Sequence, residues 1–356
     1  MTPSAKDELY MKRCLELARK GLGLTRQNPL VGSVIVNNDR IIGEGYHHEY
    51  GGPHAEVIAI QSVADRSLLK NSTLYVNLEP CAHYGKTPPC SLMIKESGIP
   101  RVVIGCIDSN PEVSGKGVFI LQSGGARVVT KVLDEECRFL NRRFFTFHEQ
   151  KRPYVILKWA QTLDGYIDWD RQDVHSQEPA WITNHTARML VHKWRSEELS
   201  IMVGTETILL DNPELNVREW PGINPMRIVP DKNGRLFEGL KILDGSSPTI
   251  VFTGDKKKLY NYPESIKIPF ESFEIPMLLT EIFKREIISI FIEGGATFIQ
   301  SFINSGLWDE IFVFSGNKMF KSGVKAPVLN REPEEKIKFR GSDLFIYRKT
   351  SLKRIF

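Results

Sequence analysis

The sequence predicts an α/β protein with two domains. Short apolar runs of the kind found in strands occur in turn with segments whose apolar residues have helical spacing. This alternation is typical of layered α/β sheets. The 356 residues exceed the usual size of one domain, and contents of 41% hydrophobic and 25% charged residues are ordinary for a globular protein.

Turn-forming residues separate the predicted elements of the first half. Gly21 is a helix stop, Asn38 lies in a hairpin turn, Pro53 precedes a helix and Pro80 ends a strand. The elements are a helix over 6–20, a hairpin over 31–43, a helix over 54–64, a strand over 73–78, a short helix over 89–97, strands over 101–107 and 127–132, and a charged helix over 134–147.

The strand pattern restarts after a predicted linker over 148–153, so we expect domains at 1–147 and 148–356. The region 213–245 is rich in Pro, Gly and Asn, and such loops often carry ligand contacts. The second half, with a mostly parallel sheet, is predicted to contain strands over 154–158, 197–203, 226–229, 249–252 and 287–292 and helices over 184–195 and 296–305.

Composition excludes several classes of protein. Five cysteines are too few, and odd in number, for a disulfide framework. No apolar run approaches the ~20 residues that span a bilayer, and the N-terminus lacks a signal-peptide core, so we expect a cytoplasmic protein that does not bind membranes. A net charge of +4 is too small to argue for nucleic acid; it suits a phosphorylated small substrate equally well, and the bulk charge does not decide between the two. The sequence allows a homo-oligomer without specifying one.

A catalytic zinc site is predicted from His54, Glu56, Cys81 and Cys90. One imidazole and two thiolates leave a fourth tetrahedral position open for water, whose pKa zinc lowers towards ~7. Glu56 is placed to take a proton from that water and pass it to a departing amine. This combination of His-x-Glu with Pro-Cys is found in zinc deaminases of nucleobases, usually with a shorter spacing between the cysteines.

A structural zinc site is the alternative. It would need a fourth protein ligand, for which His83 or His48 is available in the sequence. Glu56 argues against it, because a structural site has no use for a proton shuttle. We expect His47, His48 and Cys106 to have no catalytic role.

These residues lie within motifs that resemble the bifunctional riboflavin-biosynthesis deaminase/reductase family nearly end to end. In the first half the motifs are Asn28-Pro-Leu-Val-Gly32, Gly52-Pro-His-Ala-Glu56, Leu78-Glu-Pro-Cys81, Gly85-Lys-Thr-Pro-Pro-Cys90 and Asp108-Ser-Asn-Pro111. In the second half they are Lys158, Leu163-Asp-Gly165, Trp181-Ile-Thr183, Gly204 with Thr207, Leu210-Asp-Asn-Pro213, Leu215 with Arg218, and Ile292-Glu-Gly-Gly295.

The resemblance implies two three-layer α/β/α domains, the first like cytidine deaminase and the second like dihydrofolate reductase. The first would remove the 2-amino group of a 2,5-diaminopyrimidinone ribosylamino phosphate. The second would use NADPH to reduce the ribosyl group to ribityl.

The resemblance also implies roles for individual residues. Zinc would be held by His54, Cys81 and Cys90, with Glu56 as proton shuttle. The pyrimidine would lie near Asn28, Lys86 and Asp108, NADPH near Trp181, Thr207, Asp211 and Gly295, and the second substrate near Arg195, Leu215, Arg218 and Glu293.

The second-half residues carry weaker signals of their own. Arg195 and Arg218 suit a phosphate because a guanidinium donates two parallel hydrogen bonds, although an isolated Arg is commonly a solvated surface residue. Gly294 and Gly295 lie between a strand and a helix, where backbone amides can hold a pyrophosphate. The chain has no G-x-G-x-x-G motif, so a Rossmann dinucleotide fold is not predicted.

Three positions depart from the family pattern: Pro179 replaces a small polar residue, Lys232 follows Asp231 where Ser is common, and Gly294 replaces Ala. Pro179 lacks an N–H and a hydroxyl, which keeps open a deaminase with an inactive second domain. A further alternative is a nucleoside or transfer-RNA adenosine deaminase with an appended domain. It lacks support, since no Lys/Arg-rich stripe lies near His54 or Cys81.

Overall fold

The structure, a computed structural model, divides into two compact units between Lys151 and Arg152. All six tryptophans of the chain belong to the second unit. No helix in the described part of the chain is both long and apolar enough to cross a bilayer. The described residues are 4–84, 88–110, 113–170, 181–254, 264–267, 274–339 and 341–349.

The first unit is a five-stranded sheet between two layers of helices. Its strands are β1 (Gly32–Asn37), β2 (Arg40–Tyr46), β3 (Thr73–Leu78), β4 (Arg101–Cys106) and β5 (Arg127–Val129), in the order β2-β1-β3-β4-β5. β1 pairs antiparallel with β2 and β3, whereas β3, β4 and β5 are parallel. Its helices are α1 (Ala5–Arg19), α2 (Ala55–Gln61), α3 (Cys90–Glu96), α4 (Lys116–Ser123), α5 (Asp134–Leu140) and α6 (Arg142–Gln150).

Neighbouring strand residues supply opposite faces of this sheet. Val34 packs into a core with α1 and α5, and the next residue, Ile35, packs into a second core with α2, α3 and α4. Side chains alternate between the faces of a strand, so a sheet covered on both sides must be apolar on both. All six residues of β1 are accordingly buried. The three-layer α/β/α prediction is confirmed for this unit.

A buried ion pair attaches α1 to this sheet. The Asp7 carboxylate accepts hydrogen bonds from both terminal nitrogens of Arg101 at 2.9 Å and from the Tyr75 hydroxyl at 3.1 Å. Asp7 also forms a reciprocal capping box with Ser4 at the start of α1. Burial raises the pKa of Asp7, but the hydrogen bonds from Arg101 and Ser4 outweigh it and lower the pKa to about 2.

The second unit has a nine-stranded sheet in the order β11-β10-β9-β8-β12-β6-β13-β16-β15 and a small sheet of β14 and β7. Pairing is parallel from β11 through β13 and antiparallel for β16 and β15. The strands are β6 (Tyr154–Gln161), β7 (Tyr166–Asp168), β8 (Ser200–Met202), β9 (Met226–Asp231), β10 (Thr249–Thr253), β11 (Glu264–Lys267), β12 (Ser289–Glu293), β13 (Glu310–Gly316), β14 (Val324–Lys325), β15 (Glu335–Phe339) and β16 (Ser342–Arg348).

Helices cover both faces of the large sheet. α7 and α8 pack on one face through Ala187 and Ile208, and α9 and α10 pack on the other through Leu278 and Phe302. Two separate apolar cores result, as in the first unit, so the α/β/α prediction is confirmed here too. The helices are α7 (His185–Glu197), α8 (Thr205–Asp211), α9 (Ile275–Phe283) and α10 (Ala296–Ser305).

Several predicted elements are wrong in extent; the strand predicted over 127–132, for example, covers Arg127–Val129 only. The helix predicted over 134–147 is broken at Asn141, whose side chain binds the backbone of Leu30. The predicted linker is partly helical, because α6 continues to Gln150. The strand predicted over 197–203 is shorter, since Glu197 ends α7 and β8 covers Ser200–Met202 only.

Asp7→Asn should destabilise the first unit by about 2 kcal/mol at neutral pH. The folded-state pKa of about 2 lies below the ordinary value of 3.8. The stabilisation is therefore complete above about pH 4 and is lost as the pH falls towards 2. Native-state hydrogen exchange of the β1 and β3 amides measures it. Asp39→Asn, which removes an ion pair whose side chains are both 65% exposed, is the control and should have little effect. An Asp7→Asn difference that persists at pH 2 would contradict the assignment.

Candidate active sites

Three metal-binding side chains converge beside the first sheet. His54 immediately precedes α2, Cys90 begins α3, and Cys81 lies three residues beyond β3. The His54 Nδ1 is 3.2 Å from the Cys90 Sγ and 3.6 Å from the Cys81 Sγ. One ligand atom from each residue lies within 4.8 Å of the other two.

This donor set fits Zn²⁺. Nitrogen and sulfur ligands at ~2.0–2.3 Å in a tetrahedron lie about 3.5–3.8 Å apart, close to the separations found here. Within the described residues, no further His, Cys, Asp or Glu joins the group, so neither His83 nor His48 supplies a fourth ligand. Three protein ligands are typical of a catalytic rather than a structural zinc.

The electrostatics of the group favour metal binding. Hydrogen bonds from Cys90 and His54 lower the pKa of Cys81 to about 4, against the effect of burial. The contact with Cys81, together with burial, raises the pKa of Cys90. One thiolate is thus already favoured, which is the form that binds a metal. Burial raises the pKa of the adjacent Glu56 to about 7, although His54 opposes this rise.

A cavity of about 280 Å³ opens next to these ligands. It is lined by Asn28, Asp108, Glu56, His54 and Cys81, all of which the sequence predicted for this site. The volume is slightly below the usual range for small-molecule pockets, about 300–1,000 Å³, and suits a single ring rather than a polymer. Lys86, also predicted here, lies outside the described residues.

Glu79 is a residue of this cavity whose role the sequence did not reveal. Its carboxylate is 3% exposed and accepts hydrogen bonds from the backbone N–H groups of Gly115 at 3.0 Å, Val118 at 3.2 Å and Asp108 at 3.3 Å. It thereby fixes the segment that carries Asp108 into the cavity. Glu79 is part of the Leu78-Glu-Pro-Cys81 motif, but its hydrogen-bond partners lie about 30–40 residues further along the chain, so a local sequence pattern could not reveal them.

A second cavity, of about 1690 Å³, lies in the second unit at the carboxyl ends of β8, β9 and β12. Ligands of parallel α/β sheets usually bind at this edge. The volume exceeds the ~1,000 Å³ of a large single-ligand pocket and suits two ligands side by side. Every second-unit residue predicted from the sequence lines it: Trp181, Arg195, Thr207, Asp211, Leu215, Arg218, Glu293 and Gly295.

A buried charge cluster forms one wall of this cavity. Arg195 Nε and Glu293 Oε1 are 2.6 Å apart, and the second pair, Nη2 and Oε2, is 3.0 Å apart. Lys158 Nζ lies 3.7 Å from the same carboxylate. Burial raises the pKa of Glu293, but the two positive charges outweigh it and lower the pKa to about 2. Arg195 also donates to the Asn216 carbonyl at 2.9 Å, so most of the hydrogen-bonding capacity of its guanidinium is occupied within the protein.

Arg218 is the more available cation. Its side chain is 48% exposed and bonds to Glu214 at 3.2 Å and to Asn216 at 2.6 Å, and both Arg218 and Glu214 line the cavity. Leu215 is buried and adopts a left-handed conformation with φ of 50°, which is uncommon for a branched residue.

The β12–α10 turn closes tightly against α8. Gly295 has φ of 67°, and a Cβ there would lie 3.0 Å from the Thr207 hydroxyl, so a larger residue would be strained and glycine is favoured. Trp181, another lining residue, is half exposed with the Arg188 guanidinium over its ring at 4.6 Å. Lys232 lines the cavity beyond β9, whereas Pro179 lies outside the described residues.

Two family models match the two halves of the chain. The cytidine and deoxycytidylate deaminase zinc-binding region matches residues 4–106, and the RibD C-terminal domain matches residues 153–340. Both matches agree with the cavities described above, which lie within the corresponding units.

Curated relatives match this chain over nearly its whole length. The riboflavin biosynthesis protein RibD of Aquifex aeolicus is 39% identical over 96% of this chain and 98% of its own, and that of Escherichia coli is 34% identical over 90% of each. The crystal structure of a diaminohydroxyphosphoribosylaminopyrimidine deaminase/5-amino-6-(5-phosphoribosylamino)uracil reductase from Thermotoga maritima has a TM-score of 0.87 at 37% identity, covering 96% of this chain and 98% of that one. Each unit contains a cavity lined by the expected residues, and the similarity to these relatives covers nearly the whole chain. The chain therefore belongs to the RibD family of bifunctional riboflavin-biosynthesis enzymes.

Proposed function

We propose that the first unit hydrolyses an amino group from a small phosphorylated pyrimidine and that the second reduces the ribosyl group of the product with NADPH. Both steps belong to riboflavin biosynthesis. The observation that carries this proposal is the convergence of His54, Cys81 and Cys90 beside the buried Glu56 on a cavity the size of one ring.

Deamination exchanges a C–NH₂ group for C=O with water as the second reactant. Zinc would be held by His54, Cys81 and Cys90 and, when bound, would supply the Lewis acidity that makes a water molecule acidic near neutral pH. Glu56 removes a proton from that water as its oxygen attacks the ring carbon, and then delivers a proton to the nitrogen as the C–N bond breaks. Ammonia leaves, and the ring keeps the new oxygen as a carbonyl, with the second proton of the water transferred to the adjacent ring nitrogen.

Asn28 and Asp108 hold the ring against this reaction centre. Both line the cavity, and both lie on segments fixed by buried side chains, Asp108 through Glu79. Orientation of this kind contributes to catalysis, because a bound ring that presents one carbon to the attacking oxygen avoids most of the entropy cost of the encounter.

The second unit carries the reduction. When bound, NADPH supplies the hydride. The ribosyl group gains hydride at its anomeric carbon and a proton at the ring oxygen, the C–O bond between them breaks, and the open ribityl chain results. The size of the second cavity supports two ligands, with Thr207, Asp211, Trp181 and Gly295 for the cofactor.

Finer features of the function are also proposals. The substrate is 2,5-diamino-6-ribosylamino-4(3H)-pyrimidinone 5′-phosphate. After deamination of its ring, the phosphate group of the product binds near Arg218. Neither nucleic acid nor a membrane takes part, and the enzyme acts in the cytoplasm. We assign the deaminase to 1–147 and the reductase to 148–356.

Glu56→Gln should keep zinc and lose at least about 100-fold in the rate of ammonia release, because general acid–base catalysis of this size disappears with the carboxyl group. Ammonia assays and metal analysis on the same sample measure both. Glu49→Gln, an exposed neighbour outside the cavity lining, is the matched control and should behave as wild type. A Glu56→Gln rate within tenfold of wild type would refute the proton shuttle.

Cys81→Ser should lose bound zinc and destabilise the first unit, because metal binding contributes to folding. Metal analysis and thermal unfolding with and without added zinc measure this. Unchanged zinc stoichiometry would exclude Cys81 as a ligand.

Arg218→Ala should raise the KM for the deaminated phosphorylated substrate about tenfold or more and leave the KM for NADPH within about twofold. Initial rates of NADPH oxidation measure both constants. With the dephosphorylated substrate, Arg218→Ala and wild type should have the same KM, because the contact that the variant lacks is with the phosphate. The control is Arg331→Ala, which removes an arginine paired with Glu334 away from the cavity. Equal weakening of substrate and NADPH would contradict a phosphate role.

A further inference from the structure

His47 is a buried histidine at the first cavity with both ring nitrogens engaged. It lies just beyond β2, is 3% exposed, and its backbone N–H donates to the Val31 carbonyl at 2.9 Å. Its Nδ1 is 3.0 Å from the Pro53 carbonyl oxygen, and its Nε2 is 2.9 Å from the Nδ2 of Asn28. The ring therefore links the segment before His54 to Asn28.

These contacts determine where the proton of the imidazole lies. A carbonyl oxygen only accepts, so the Nδ1 facing Pro53 must carry the hydrogen. Both ring nitrogens of His47 face uncharged groups, the Pro53 carbonyl and the Asn28 amide, and a buried cation without a carboxylate partner is costly, so the ring is neutral. Its Nε2 is then an acceptor, and the group of Asn28 that faces it must be the NH₂.

The orientation of the Asn28 amide follows. With Nδ2 donating to His47, the Oδ1 points away from the ring and has no hydrogen-bond partner among the residues that the structure describes. Asn28 lines the cavity, so this oxygen is available to a ligand as an acceptor.

The backbone beyond Asn28 cannot readily adjust. The Asn141 side chain holds both the N–H and the C=O of Leu30, at 2.7 Å and 2.9 Å, and the Asn77 side chain accepts from the Gly32 N–H at 2.7 Å. Both asparagines are buried. Since the segment is fixed, the direction of the Asn28 amide depends on the side chain that it meets, which is His47.

We propose that His47 is a positioning residue of the deaminase: it holds the Asn28 amide with Oδ1 towards the cavity and thereby selects a pyrimidine that presents an N–H group there. The inference rests on the proposed deaminase function. Without His47 the amide rotates freely, and half of its orientations offer an NH₂ where the substrate needs an acceptor.

The test compares two substitutions of His47, each of which keeps one of the two hydrogen-bonding functions of its ring. His47→Gln retains an oxygen that can accept from the Asn28 NH₂, whereas His47→Asn is too short to reach it and retains only a donor for the Pro53 carbonyl. His48→Asn, an exposed neighbouring histidine outside the cavity lining, is the matched control. Ammonia release gives kcat and KM for each variant, for Asn28→Ala and for Asn28→Ala/His47→Asn, and metal analysis gives the zinc content.

We expect His47→Asn to raise KM about fivefold with zinc retained, His47→Gln to recover most of this loss, and His48→Asn to match wild type. In the Asn28→Ala background, His47→Asn should change KM less than twofold, because its effect passes through Asn28.

Multiplying effects in the double variant would overturn the proposal, since His47 would then act on its own. So would His47→Gln no better than His47→Asn, or loss of zinc from both, which would place the role of His47 at the metal. Absence of ammonia release by the unmodified enzyme would instead refute the deaminase itself, and this inference with it.

Discussion

Parallel pairing of strands is the constraint on which both sites depend. In the first sheet Leu78 of β3 is aligned with Cys106 of β4, so the segments that lead to Cys81 and Asp108 leave the sheet side by side. In the second sheet, register places Lys158 of β6 directly opposite Glu293 of β12, which accounts for their ion pair. Because the carboxyl ends of parallel strands share one edge of a sheet, residues that are distant in sequence meet at that edge.

Buried polar side chains give the first site its geometry. Asn77, Asn141 and Glu79 each satisfy backbone groups of the segments that border the cavity, and each is at least nine-tenths buried. Hydrogen bonds in so dry an environment are strong, and an unmade one is costly, so these segments have one favourable conformation. The metal ligands rely on this framework, since Cys81 directly follows the Glu79–Pro80 pair.

Local pattern predicted much of this molecule. The strand over 73–78 and the helix over 296–305 have the predicted ends, because apolar spacing and flanking turn residues agree there. The break at Asn141 was not predictable, since it depends on Leu30, 111 residues away. The metal ligands lie in short motifs that sequence reveals. By contrast, the bidentate Arg195–Glu293 contact joins residues 98 apart, and only the fold shows that this arginine is paired rather than exposed.

The distribution of tryptophan has a practical consequence. Since every indole of the chain belongs to the second unit, emission excited selectively from tryptophan reports on that unit alone. Trp159 and Trp308 are buried in its core, so their spectrum will shift to the red as it unfolds. Denaturation of the first unit is spectrally silent in this channel and can be followed through release of its metal, so one titration separates the stabilities of the two halves.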